Sequence, residues 1–335
     1  MENKNWAVVF EDLKKTKVMD AMMPKIGSCD VLINVKATAL CSQEQRMFLG
    51  VRKLCGYPCV GGHESAGIVE AVGSDVKDIK VGDRVAIGTA FYRTPEGNPN
   101  AREDGIYVEE YGSISKYMKT RDDNCIVIKD DKLPFEKACL VEPVTCVTQS
   151  VKKGNVNFGD YVLIIGGGIM GLLHVQLAKK RGATVIVSEI DEARCQKALG
   201  YGADLIVNPK TEDAAAKVME FTKGEGCDVV FNTTPFASSW DLAQAVLADY
   251  GKIVAYSSQH PDDPIGVKMG NLHSHHKQII GTVDGFGDFK AALRMIENGI
   301  VDLDGLVDSV YKYTDCQKAF ERATTPGVYR VIITD

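Results

Sequence analysis

The 335-residue chain lacks any apolar run near the ~20 residues that span a bilayer. Its first ten residues, MENKNWAVVF, lack the basic-then-apolar layout of a secretory leader, so a cytoplasmic location is expected. It lacks an excess of positive charge: 39 Lys and Arg stand against 45 Asp and Glu, for a net charge of −6. That balance leaves no electrostatic footprint for nucleic acid or an anionic membrane. Internal repeats and low-complexity segments are missing too. Ten cysteines are present, but they do not cluster into a disulfide framework. In a cytoplasmic protein they are expected to be reduced, mostly as small buried apolar side chains. Residues 86–124 hold no cysteine at all.

What is present is ordinary for a globular protein: 45% hydrophobic and 25% charged residues. The length favours two domains over one core. Residues 1–125 read as short β-rich segments, with DVLINVKATAL (30–40), SAGIVEAVG (65–73) and DRVAIGTAF (83–91) bounded by turn residues. A polar loop, RTPEGNPNAREDG (93–105), follows. Beyond residue 150 the texture changes. Apolar strands such as YVLII (161–165) and TVIVSE (184–189) alternate with amphipathic helices, including one expected over SWDLAQAVLADYG (239–251). That alternation predicts an α/β doubly wound parallel sheet. A last helix over 288–299 and a terminal strand over 327–335 are expected to return to the first domain. The predicted division is therefore 1–145 with 285–335, and 146–284.

The strand YVLII runs into GGGIMG, which spaces Gly166, Gly168 and Gly171 as a dinucleotide-binding fingerprint that also opens a helix. Gly166 permits the tight turn, Gly168 lets the backbone approach a pyrophosphate, and Gly171 lets helix and strand pack closely. Ile169 and Met170 complete the expected contact set, and the helix N-terminus favours the anionic ligand. Glu189 ends the second strand, where an acid accepts the adenosine ribose hydroxyls and repels a 2′-phosphate. NAD is therefore expected over NADP, with Asp191 or Arg194 able to modify the preference.

Four residues offer metal donors: Cys41, His63, Glu64 and Glu142. Thiolate, imidazole and carboxylate are typical zinc ligands, and three of them with one open position make a catalytic site. Spread over a hundred residues, the same four are also compatible with ordinary core and surface roles. Cys55 and Cys59 have the spacing of half a metal site, but no second pair completes it. The trio His273, His275 and His276 reads as a segment near the last helix of the parallel-sheet domain rather than as a metal tract.

Taken together, Cys41 after an apolar strand, GGHESAGIVEAVGSDVKDIKVGDRV (61–85), LVEP (140–143), VLIIGGGIMGLL (162–173) and the closing GVYRVII (327–333) give the chain a resemblance. It resembles the zinc-containing medium-chain dehydrogenase/reductase family over nearly its whole length, most closely the polyol dehydrogenase branch. The resemblance implies a GroES-like β-rich catalytic domain joined to a Rossmann domain. It implies Cys41 and His63 as constant zinc ligands, Glu142 as the third, and Glu64 as a neighbour that ligates the metal or exchanges with its water. It also implies Arg330 at the cofactor pyrophosphate.

Three departures accompany that resemblance. Relatives usually carry Ser or Thr two residues after the cysteine, whereas this chain carries Gln43. Ser42, Glu44 or Glu64 is then expected to pass the alcohol proton, with Glu44 alternatively orienting His63. The four-cysteine structural zinc of many relatives has no counterpart in residues 86–124, so one catalytic zinc per chain is expected. Cys146 stands where relatives often have a threonine near the nicotinamide. Arg46, Phe48, Tyr92 and Arg93 are candidates to line the pocket.

The expected activity is zinc-dependent, NAD-linked hydride transfer between a secondary alcohol and its ketone, with a polyol, sugar or cyclitol as substrate. The alternatives are an amino-alcohol or small-diol dehydrogenase, or a non-catalytic NAD-binding protein. A homodimer or homotetramer is expected from the resemblance.

Overall fold

The computed structural model describes residues 4–51, 57–88, 112–257, 264–283, 285 and 287–335, and the backbone at 101–102 and 105–106. Chain contacts divide it into two units: Met1–Thr145 with Phe286–Gly299 and Leu303–Asp335, and Cys146–Gly285 with Ile300–Asp302. Tyr92 and Arg93 lie outside the described residues, as do Cys55 and most of the expected loop at 93–105.

The first unit begins with an antiparallel pair, β1 (Asn5–Asp12) and β2 (Lys15–Ala21). Then come β3 (Asp30–Ala39), α1 (Ser42–Phe48), β4 (Cys59–Val60), β5 (Glu64–Val72) and β6 (Arg84–Ile87). Two short strands, β7 (Ala101–Arg102) and β8 (Gly105–Ile106), pair with each other. They are followed by β9 (Tyr117–Arg121), β10 (Cys125–Val127), α2 (Phe135–Ala138) and α3 (Val141–Gly154). The strands form because β-branched residues recur at buried positions: Val31, Ile33 and Val35 of β3 share a core with Val69, Val85 and Ile87. Pro143 sits in the first turn of α3, where its missing N–H costs no helical bond.

The second unit alternates strand and helix: β11 (Tyr161–Ile165), α4 (Ile169–Lys180), β12 (Thr184–Ser188), α5 (Glu192–Gly200) and β13 (Leu205–Val207). It continues with α6 (Ala214–Phe221), β14 (Cys227–Asn232), α7 (Ser238–Ala245), β15 (Leu247–Ala255), α8 (Met269–Ser274) and β16 (Gln278–Gly281). The strands pair in parallel in the order β13-β12-β11-β14-β15-β16. That is the doubly wound order, with its switch point between β11 and β14. One element differs from expectation. The helix expected to reach residue 251 stops at Ala245, because Leu247 pairs with Cys227 to open β15, whose register then shifts before Lys252 pairs with Val229.

The chain then returns to the first unit as α9 (Phe289–Glu297), β17 (Val307–Lys312), α10 (Cys316–Ala323) and β18 (Arg330–Thr334). Among the described residues, β18 joins β3 antiparallel and β17 parallel, within a sheet ordered β10-β6-β5-β3-β18-β17. Phe48 packs on Phe320, which also meets Phe10, so it is a core residue and not a pocket wall. No helix among the described residues is long and apolar enough to cross a membrane.

Candidate metal and cofactor sites

Strand register builds the metal cluster. Ala39 at the end of β3 lies opposite Glu64 at the start of β5. In an antiparallel pair, residues that follow one strand meet residues that precede the other. Cys41 therefore comes beside His63. Gly62 takes φ +105°, and a Cβ there would lie 2.7 Å from the side chains of Ser113 and Ile114, so only glycine lets the chain bend into β5. Ile332 pairs with Ala39, which delivers Arg330 to the same point. Glu142 arrives from the first turn of α3. Cys41 itself lies just beyond the strand. The ladder stops at Ala39, Leu40 donates to the Val331 carbonyl, and Cys41 turns to become the N-cap of α1.

Two groups of candidate ligands share His63: Cys41, Glu44 and His63, and His63, Glu64 and Glu142. In each, the ligand atoms lie within 4.8 Å of one another. Glu44 and Glu64 are fully buried, and His63 and Glu142 nearly so. Buried carboxylates need compensation, and each has a partner. Glu44 Oε1 is 2.8 Å from His63 Nδ1 and accepts from the Gly62 amide at 3.1 Å. Burial pushes the Glu44 carboxyl up, but the charge and hydrogen bond of His63, with the Glu44 and Gly62 amides, bring it below its usual value. Burial in turn pulls His63 down, while Glu44 and Cys41 raise it well above the ordinary histidine value.

Arg330, expected at the cofactor pyrophosphate, has another partner here. It is buried, and its Nε and Nη2 donate to the two oxygens of Glu64 at 2.9 and 2.6 Å. Nη2 also lies 3.6 Å from Cys41 Sγ. The reason is register: β18 places the guanidinium inside the first unit, against a carboxylate that burial would otherwise strand. Ser42 is exposed, with Oγ 3.9 Å from Cys41 Sγ. Arg46 folds back along α1, its Nε donating to the Ser42 carbonyl at 3.2 Å.

In the second unit the glycines meet the steric demands of a dinucleotide loop. A Cβ on Gly171 would lie 1.8 Å from the Gly166 carbonyl oxygen, whereas one on Gly168 would meet nothing within 4 Å. Gly168 is the N-cap of α4, and Ile169 and Met170 form its first turn. Glu189 follows β12 and is buried. Its Oε2 accepts from the Gly167 amide at 2.6 Å, and its Oε1 from the amides of Ile190 and Asp191. Asp191 caps α5 by accepting from the Arg194 amide, and the Arg194 Cβ lies 3.3 Å from where a Gly167 Cβ would be.

Sequence reasoning missed Thr233 and Thr234, whose side chains lie 2.7 Å from where a Cβ on Gly166 would be. Thr233 Oγ1 donates to the Ile165 carbonyl at 2.8 Å. Their position at the carboxyl end of β14, beside β11 at the switch point, was the available signal. Of the histidine trio, His275 pairs with Asp249 at 2.9 Å and His276 stacks on Tyr250. They join no metal-compatible group among the described residues. Cys59 departs from the reduced state expected: it is disulfide-bonded. Cys146 is half-buried in α3.

Comparison with known proteins matches the chain to two family models. Residues 27–130 match the alcohol dehydrogenase GroES-like domain, and residues 170–298 match the zinc-binding dehydrogenase model. The chain is 30% identical over 331 residues to sorbitol dehydrogenase of Bacillus subtilis, covering 95% of this chain and 93% of that protein. It is 28% identical over 327 residues to D-arabitol-phosphate dehydrogenase of Enterococcus avium, covering 94% and 92%. Its fold superposes on the crystal structure of 2R,3R-butanediol dehydrogenase from Bacillus subtilis with a TM-score of 0.86 at 24% identity, over 99% of each chain.

Proposed function

The chain belongs to the zinc-containing medium-chain dehydrogenase/reductase family, and from that premise we propose that it interconverts a secondary alcohol of a polyol and the corresponding ketone, with NAD as hydride carrier. The observation that carries this reading is the convergence of a cysteine, a histidine and carboxylates from three separate segments at one buried point.

The donor set suits zinc. Cys41, His63 and Glu142 offer a thiolate, a ring nitrogen and a carboxylate, which leaves a position for substrate. Glu44 occupies Nδ1 of His63, so Nε2 is the nitrogen left for the metal. Glu64 is the alternative donor, and Arg330 holds it when it is not ligating. Bound zinc supplies a Lewis acid that lowers the pKa of the substrate hydroxyl, as it lowers that of water towards about 7.

The chain's own residues do the rest. Glu44 orients the His63 ring, and Arg330 offsets the negative charge that the cluster accumulates. Gln43 cannot accept a proton, and Glu44 and Glu64 are engaged by His63 and Arg330. Exposed Ser42, beside Cys41, is therefore the outlet for the alcohol proton. In the second unit, the α4 N-terminus and the open face of Gly168 receive the pyrophosphate. The Glu189 carboxylate beside the glycine loop repels a 2′-phosphate, which favours NAD over NADP. The sorbitol and arabitol-phosphate relatives support a polyol substrate. The sheet edge at β16 supports a homodimer or homotetramer.

The test is metal content and turnover of protein purified without added metal or chelator. One zinc per chain and polyol oxidation with NAD, both lost in Cys41→Ser, is the expected result. An intact fold that binds NAD but holds no zinc would refute the mechanism.

A further inference from the structure

Gln43 carries a buried donor that bonds nothing among the described residues. The residue is 8% exposed, and its Nε2 has no hydrogen-bond partner among the described residues. It stands in α1 between Cys41, whose thiol belongs to the metal cluster, and Glu44, whose carboxylate holds His63. Another amide of the same helix fares differently: Gln45 Nε2 donates to the Leu40 carbonyl at 3.2 Å. An unbonded buried N–H is costly, and such groups nearly always have a partner in the working protein. The carboxamide does not titrate near neutral pH. It offers N–H donors and one carbonyl acceptor.

We propose that Gln43 selects the substrate, its Nε2 donating to the oxygen on the carbon next to the reacting one. The site then prefers a vicinal polyol or α-hydroxyketone to a monohydric secondary alcohol. This rests on the cluster being the alcohol site, as argued above. The reacting oxygen gives up its proton during oxidation, and a neutral carboxamide cannot receive it. The neighbouring hydroxyl keeps its proton throughout, so it can accept from Nε2 and donate to Oε1. A substrate without that oxygen leaves the donor unbonded, which is the basis on which such sites discriminate.

The experiment compares butane-2,3-diol with butan-2-ol, which differ by one hydroxyl, in full-length zinc-containing wild type, Gln43→Met and Gln43→Glu with NAD. Methionine keeps the length and removes the donor; glutamate keeps the shape and replaces the donor with an acceptor. In both variants kcat/KM for the diol is expected to fall about 10- to 100-fold, mainly through KM. The loss for butan-2-ol should be several-fold smaller. Zinc content should be unchanged, and the melting temperature of Gln43→Met should hold or rise, because an unbonded donor gives way to an apolar group. Equal losses on both alcohols, or no loss on the diol, would overturn the proposal. So would a fall of several degrees in melting temperature, which would reveal a structural partner for Nε2. Wild type inactive on every alcohol, with zinc absent, would instead bring down the dehydrogenase reading on which the proposal rests.

Discussion

Glu44 Oε1 lies 2.8 Å from Nδ1 of His63, and both side chains are closed to water. The carboxylate decides which ring nitrogen faces the cluster and raises the basicity of the other. Replacing Glu44 with Ala removes that control while leaving Cys41, His63 and Glu142 in place. Zinc affinity, measured by competition with a chelator, should fall about 10- to 100-fold. A much larger loss would make Glu44 a ligand itself, and unchanged affinity would remove it from the site.

Arg330 and Glu64 form a buried two-bond ion pair between residues 266 positions apart. Removing one partner strands the other's charge. Arg330→Met should destabilise the metal-free protein by about 3–5 kcal/mol in urea unfolding. Adding Glu64→Gln should recover most of that loss, because the stranded charge is gone. Failure of the second change to rescue would mean that Arg330 acts mainly through packing.

Gly168 and Gly171 should separate cofactor binding from folding. Gly171→Ala drives a methyl into the Gly166 carbonyl, so it should cost about 1–3 kcal/mol or more of stability as well as NAD binding. Gly168→Ala meets nothing in the protein, so calorimetry should find its stability within about 0.5 kcal/mol of wild type. NAD titration should nonetheless show weakened binding. Equal stability losses in the two variants would contradict the loop geometry.

His174 gives the second unit a pH dependence. Burial holds it down to about 4, with Nδ1 2.7 Å from the Met170 carbonyl oxygen and Nε2 2.8 Å from Ser150 Oγ. The unfolded chain takes up this proton near pH 6.5, so between about 6.5 and 4 the unfolded state binds more protons than the folded one. The histidine's neutral burial therefore stabilises fully above about pH 6.5, and the benefit is lost as pH falls towards 4, a total of about 3 kcal/mol. His174→Gln should flatten the stability profile across that window in denaturant titrations at stepped pH. A profile as steep as that of wild type would assign the dependence to other groups.

Much of the fold is legible because its signals are local. The parallel sheet follows from short β-branched runs at Tyr161–Ile165 and Thr184–Ser188 separated by helical periods. The glycine loop could be recognised because Gly166, Gly168 and Gly171 meet steric needs of their own turn. The end of α7 was less legible: AVLADYG suits either state, and only pairing of Leu247 with Cys227 turns it into strand. Phe48 reads equally well as pocket or core until Phe320, 272 positions on, comes against it.

By itself, the sequence determined the two-part α/β plan and the residue types available for zinc and dinucleotide chemistry, since hydrophobic period, turn glycines and donor side chains act over a few residues. Tertiary structure alone decided which of those groups meet. The β3–β5 register sets Cys41 beside His63, and the β18–β3 register gives Arg330 to Glu64. The same packing closes water away from Glu44 and leaves Nε2 of Gln43 without a partner among the described residues. Charge pairing and burial depend on distances between segments far apart in the chain, and those distances exist only once the sheets have formed.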